Sequence, residues 1–258
     1  MSIVEIDHLT VRAGAKVLVN DVTLNIDAGT WCTIVGPNGA GKTSLVETVA
    51  GLRKASNGTV RIGGTALAAM NERARAQVVS LVPQHPEVPV GMTVKDYVSL
   101  GRSAYHGLLH APSAQDRRIV ESVLDRLGLQ EFEDRDVVTL SGGERQRMVL
   151  GRALAQSTMV IVLDEPITGL DMRHQMELLE HLKTQVEQCG LTIVATMHDL
   201  TLAGQFADRL VLLNHGGVVI DGPAREVVRS DELAQCYGMT LRVVDVDGAD
   251  VVVPVRSK

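Results

Sequence analysis

Eight consecutive residues, Gly36-Pro37-Asn38-Gly39-Ala40-Gly41-Lys42-Thr43, fit the spacing G-x-x-x-x-G-K-[ST], a pattern suited to polyphosphate chemistry. Glycines let the backbone bend so that successive N–H groups point at one anion, and a helix opening at the lysine adds its partial positive charge. In such a loop Lys42 bridges β- and γ-phosphate oxygens, the Thr43 hydroxyl is a magnesium ligand, and Ser44 begins the helix. A loop of this kind needs a carboxylate at the end of a neighbouring strand. The apolar run Met159–Leu163 leads directly into Asp164-Glu165-Pro166. Asp164 is then placed to orient the metal, through water or directly, and Glu165 to polarise an attacking water.

A third group, Leu140-Ser141-Gly142-Gly143-Glu144, supports two compatible readings. Ser141 and the amides of Gly142 and Gly143 make an anion cradle at a helix N-terminus. Ser141 with Glu144 three residues on is also a capping box, which closes a helix end without any ligand. As a cradle it would start a different helix from the one behind Lys42, so it would suit a γ-phosphate arriving from outside the chain.

These groups require strands and helices in alternation, and the sequence supplies them. Residues 3–35 read as short strands joined by turns, with Asp27–Thr30 as one turn. After the glycine-rich loop, Leu45, Val46, Val49 and Leu52 fall on one helical face. A strand follows at residues 58–64, then the short apolar run 78–82, which suits a strand buried on both faces. From Pro83 to about Leu140 the character turns helical, as in an insertion; the clearest helix runs from Ala114 to Leu127 behind a Ser113/Asp116 capping box. Alternation resumes with helices at 143–155 and 172–189, the second stopped by Gly190, and with strands at TIVAT and RLVLL. Apolar strands alternating with helices predict a parallel α/β sheet. The text VVDVDGADVVVPV near the end reads as a peripheral hairpin.

Composition narrows the chemistry further. The 258 residues are 45% hydrophobic and 22% charged, ordinary globular usage. A formal charge of −6 and only 2% aromatic residues argue against a nucleic-acid partner, whose backbone is held by clustered cations and whose bases stack on rings. Cys32, Cys189 and Cys236 are widely spaced and form no ligand cluster, which fits a reducing compartment. No run of 18 uncharged apolar residues occurs, and the N-terminus MSIVEIDHLT carries acids where a signal peptide would carry basic residues, which predicts a cytosolic chain.

In this order the motifs resemble the nucleotide-binding subunit of ABC transporters, over nearly the whole chain. The resemblance implies a P-loop NTPase fold: a RecA-like mixed sheet with an N-terminal antiparallel β-subdomain and an inserted α-helical subdomain. It divides the chain into a catalytic α/β core at 1–84 and 156–225, a helical signature subdomain at 85–155, and a C-terminal tail at 226–258. It implies ATP and Mg2+ as ligands and two copies facing each other, each lending residues 141–144 to the other's nucleotide. Gln84 is implied to sense magnesium and the transmembrane partner, Asp171 in TGLD to lie in a loop exchanged across the dimer, and His198 in TMHDL to contact the γ-phosphate. Where the family places a ring under adenine, this chain has Arg12 and Ala13, so the Arg12 guanidinium stacks on the base in its place or is a solvent-exposed turn residue.

The stretches 82–102, 106–129 and 231–244 are similar to the ATPases of importers for ferric siderophores, haem and cobalamin. That similarity implies a peripheral position on the cytoplasmic side of the membrane, separate permease subunits, and a substrate-binding protein engaged only indirectly. The segment Gln84–Arg102, stiffened by Pro83, Pro86 and Pro89, is read as much of a groove for a permease helix, lined by Val88, Val90, Met92, Val94 and Tyr97; the alternative is that these residues pack the helical core. A soluble ABC ATPase without a transport role is a competing reading, and a small-molecule P-loop kinase another, though a kinase would lack residues 140–144.

Overall fold

The computed structural model describes residues 1–105 and 112–256. In chain order the elements are β1 (Ser2–Ala13), β2 (Lys16–Asp27), β3 (Trp31–Val35), α1 (Lys42–Val49), β4 (Asn57–Ile62), β5 (Thr65–Ala66), α2 (Glu72–Ala76) and β6 (Val79–Val82). Then come α3 (Val94–Ser99), α4 (Ala114–Arg126), α5 (Gly142–Ala155), β7 (Val160–Asp164), α6 (Met172–Cys189), β8 (Thr192–Thr196) and α7 (Leu200–Phe206). The chain closes with β9 (Arg209–Asn214), β10 (Gly217–Pro223), α8 (Ala224–Val228), α9 (Asp231–Tyr237), β11 (Thr240–Val246) and β12 (Ala249–Val255).

Two sheets carry the molecule. The larger has the order β10-β9-β3-β8-β7-β6, with β9, β3, β8, β7 and β6 parallel and β10 antiparallel at one edge. Its central strands β3, β7 and β8 are buried at every position, which explains their unbroken apolar text. The smaller sheet, β2-β1-β4-β5, is antiparallel. The mixed sheet, the N-terminal antiparallel sheet and the helices inserted between β6 and β7 are the α/β architecture the resemblance implied. The first strands are longer than the sequence suggested, because β1 and β2 pair through several register shifts that keep Val4, Ile6, Leu9 and Val11 facing the core.

Helix limits follow local chemistry. Ser113 caps α4 with Asp116 in the predicted capping box, and Asp116 also takes the guanidinium of Arg102 at 2.9 Å in a buried pair. Asp171 caps α6 and Gly190, left-handed, ends it. The tail is less β-like than its sequence reads, since α8 and α9 precede the β11–β12 hairpin and α8 runs across residue 225.

Three apolar assignments change. Leu52 lies beyond α1, after the left-handed Gly51, and is 70% exposed. Val94 and Tyr97 are buried to 0% and 1% exposure in the core that joins α3, α4 and α5 to the main sheet, so they do not line an open groove. Val88 and Met92 pack partly against that core, and Val90 is 83% exposed. Residues 106–111, part of the importer-like text, lie outside the described residues.

Candidate nucleotide site

Strand β3 ends at Val35, and the chain turns at once into the glycine-rich loop. Gly36 has φ 148°, and a Cβ there would run into the Leu213 carbonyl oxygen, so only glycine lets the loop pass β9. Gly41 is the N-cap of α1, and Lys42 is its first residue. The loop curls around the lysine: Nζ donates to Gly36 O at 2.8 Å and Pro37 O at 3.3 Å, and the side chain is buried. Burial pushes its pKa down, against the pull of Glu165 and Asp164.

The two acids stand where β7 ends. Asp164 Oδ1 accepts from the Thr196 hydroxyl at 2.6 Å and from the Thr43 hydroxyl at 3.4 Å. Burial holds its carboxyl above the usual range, against both hydroxyls. A buried carboxylate with a threonine hydroxyl alongside is an oxygen-rich pair of the type a hard divalent cation takes, so Thr43 and Asp164 fit magnesium.

Glu165 has a left-handed backbone, φ 50°, rare for a residue with a side chain and frequent at functional turns. The Thr196 hydroxyl accepts its N–H at 3.0 Å. Its carboxylate takes the Gln84 amide at 2.5 Å and the Thr168 hydroxyl at 3.2 Å, and pairs with His198 Nε2. Gln84 from the end of β6, Glu165 from β7 and His198 from beyond β8 therefore meet on one carboxylate. The parallel register places their strand ends side by side.

A cavity beside the loop is lined by Lys16 and Leu18 of β2, by Asn38 to Ser44, and by Glu165 and His198. Arg12 is not among the lining residues; it is exposed, and its backbone N–H is held by Ser56. On its β2 side the cavity is bordered by Lys16 and Leu18. Residues 141–144 and Asp171 do not line it either.

Those residues gather elsewhere. Ser141 caps α5, its Oγ accepting from Glu144 N at 3.3 Å while Glu144 Oε2 accepts from Ser141 N at 2.8 Å, the capping box of the plainer reading. A Cβ on Gly143 would stand 2.5 Å from His174 Cδ2, and His174 Nδ1 is 2.8 Å from Asp171 Oδ2. His174 therefore joins the two segments that the resemblance assigns to a second copy. Bonds from neighbouring N–H groups hold the Glu144 and Asp171 carboxyls below the usual range.

Thr196, Thr168, His174 and Lys16 were not singled out in the sequence. Thr196 had one available signal: it ends a strand whose parallel neighbour ends in Asp164, with which it is in register.

Residues 19–168 match the family described as ABC transporter. The iron(3+)-hydroxamate import ATP-binding protein FhuC of Bacillus subtilis is 35% identical over 244 residues, 95% of this chain and 91% of that protein. The hemin import ATP-binding protein HmuV of Bradyrhizobium diazoefficiens is 34% identical over 261 aligned positions, 98% and 95% of the two chains. The dimeric structure of a bacterial ABC transporter cassette, MJ0796, superposes with a TM-score of 0.76 at 27% identity, covering 86% of this chain and 99% of that one.

Proposed function

The chain belongs to the ABC transporter family, and from that premise we propose that it is the ATP-hydrolysing subunit of an importer for a metal chelate: ferric siderophore, haem or cobalamin. The observation that carries the ATPase reading is the convergence of Gln84, Glu165 and His198 beside a phosphate loop whose lysine is already curled into its own backbone. The choice of chelate import draws on the named relatives, which import iron(3+)-hydroxamate and hemin.

In this reading Gly36 to Ser44 hold the phosphates, and Lys42 turns its amine to the β and γ oxygens. Thr43, Asp164 and Gln84 would hold magnesium, which when bound offsets phosphate charge. Glu165 orients and polarises the attacking water, and His198 donates to the γ-phosphate. Hydrolysis is mostly positioning and charge stabilisation, so a site without a cradle on its far side turns over slowly. Ser141 to Glu144 and Asp171 of a second copy supply that side. The Ser141 hydroxyl accepts from the cap and keeps its proton to donate, so the cap and the cradle coexist.

Residues 85–155 are the segment that passes motion to permease subunits, with 1–84 and 156–225 as the catalytic core and 226–258 as the tail. No described helix is long and apolar enough to cross a membrane. By analogy with the import relatives, the proposal puts the subunit peripherally on the cytoplasmic face, with a substrate-binding protein engaged only through the permease. Uptake of labelled ferric hydroxamate, haem and cobalamin by this chain assembled with the permease subunits of a chelate importer tests the proposal. Uptake of none of the three by a complex that still hydrolyses ATP would shift it to an ABC ATPase energising another substrate.

A further inference from the structure

The family match ends at residue 168, yet the chain beyond Pro223 reaches back into the phosphate loop. Gly36 is buried, and its N–H lies just past the last paired residue of β3. A buried N–H needs an acceptor. Here the acceptor is the hydroxyl of Tyr237, the last residue of α9, at 3.1 Å. The carbonyl of the same Gly36 receives Lys42 Nζ at 2.8 Å. Tyr237 and Lys42 therefore hold one residue from its two polar groups, and the phenol fixes where the lysine's carbonyl anchor stands.

The same C-terminal segment has a second attachment. After α9 the chain forms the β11–β12 hairpin, paired from Thr240 with Val255 to Val246 with Ala249. Val252 donates its N–H to Thr201 Oγ1 at 3.0 Å, and the Thr201 hydroxyl faces Val252 O at 3.4 Å. Thr201 is the second residue of α7, whose cap is Asp199, directly after His198. Arg229 also holds the start of β12, its Nε 2.8 Å from Asp250 Oδ2.

We propose that residues 224–256 form a brace tying the phosphate loop to the helix behind His198, with Tyr237 as the positioning residue for Gly36. The inference rests on the ATPase reading, and it adds a residue that no phosphate motif contains. Since the loop and the His198 segment meet the same nucleotide from different strands, a tie between them sets their spacing before nucleotide arrives.

Tyr237→Phe in the full chain removes the hydroxyl and keeps the ring. ATP and ADP binding, measured by calorimetry, is expected to weaken about tenfold as the loop loses its preset position, while the unmet Gly36 N–H lowers the melting temperature by only a few degrees. Unchanged affinity with a lowered melting temperature overturns the proposal, because Tyr237 would then only pack. Thr201→Val releases the far end without touching the loop. In a double-mutant cycle with Tyr237→Phe, a combined loss smaller than the product of the single losses supports one brace; a simple product overturns it. Wild-type protein is measured alongside: failure of the ATPase reading shows there as absent nucleotide binding, failure of the brace only in the variants.

Discussion

Gln84 donates its side-chain amide to Glu165 Oε2 at 2.5 Å across 81 positions of sequence. The residue implied to sense magnesium and the partner is thus bonded to the residue proposed to polarise water. In the proposed function this bond is the route by which a shift of the segment after β6 would reach the carboxylate. Glu165→Gln is expected to lower turnover at least about a hundredfold, the scale of a lost general base, while ATP still binds and drives pairing. Steady-state hydrolysis with gel filtration in ATP measures both, and wild-type turnover would reject the role.

Lys42→Ala removes the charge meant for the β and γ phosphates and leaves the carbonyls of Gly36 and Pro37 without their donor. Loss of tight ATP and ADP binding is expected from titration calorimetry. Retained affinity would move the phosphate site elsewhere.

In the proposed dimer Ser141→Arg places its lesion in the partner's site, a reading consistent with residues 141–144 not lining the cavity beside their own phosphate loop. The variant should bind ATP as a monomer yet fail to hydrolyse it. In a mixed dimer with Lys42→Ala, one composite site carries both lesions and the other is intact. Residual hydrolysis in purified mixed dimers supports exchange across the interface; none, in dimers that fold and pair, means strict coupling of the sites or a wrong geometry.

Base recognition is expected to be weak, with ATP and GTP hydrolysed within about tenfold, or roughly 1.4 kcal/mol, since no Phe, Tyr or Trp lines the cavity. Arg12→Ala should leave the Michaelis constant near wild type, while Lys16→Ala should raise it, because Lys16 lines the cavity and Arg12 does not. A hundredfold preference for ATP would mean that some other residue reads the adenine.

Cysteine reactivity follows burial. Cys32 in β3 is fully buried and its thiol is pushed up to about 12, so it stays protonated through neutral and mildly alkaline pH, whereas Cys189 is exposed. The thiolate is the reactive form. Alkylation at pH 8, read by mass spectrometry, should modify Cys189 quickly and spare Cys32 until denaturant is added; early modification of Cys32 would contradict the buried β3.

Much of this arrangement was legible because the chemistry is local. The limits of α6 follow from Asp171 and Gly190, and the loop at 36–43 fixes its own strand and helix. What was hidden depends on neighbours distant in sequence. Thr196 looks like any β-branched strand residue until β8 lies beside β7 and its hydroxyl donates to the Asp164 carboxylate and accepts the Glu165 backbone N–H. Tyr237 carries no motif, and only the fold brings it to Gly36. Val94 and Tyr97 repeat at helical spacing, but a six-residue helix with apolar residues on both sides of its path does not reveal which face meets the core.

The apolar core that contains Val94 and Tyr97 also runs without a break through Leu140 and Met148 to Ile161 and Leu178. The inserted helices and the main sheet are therefore welded by shared oil rather than linked by a flexible tether. Any rotation of the helical part would proceed by sliding side chains past one another, in the manner of shear between packed layers. Its travel is then limited to what close-packed rotamers allow, so a larger stroke delivered to a partner would come from bringing two such bodies together.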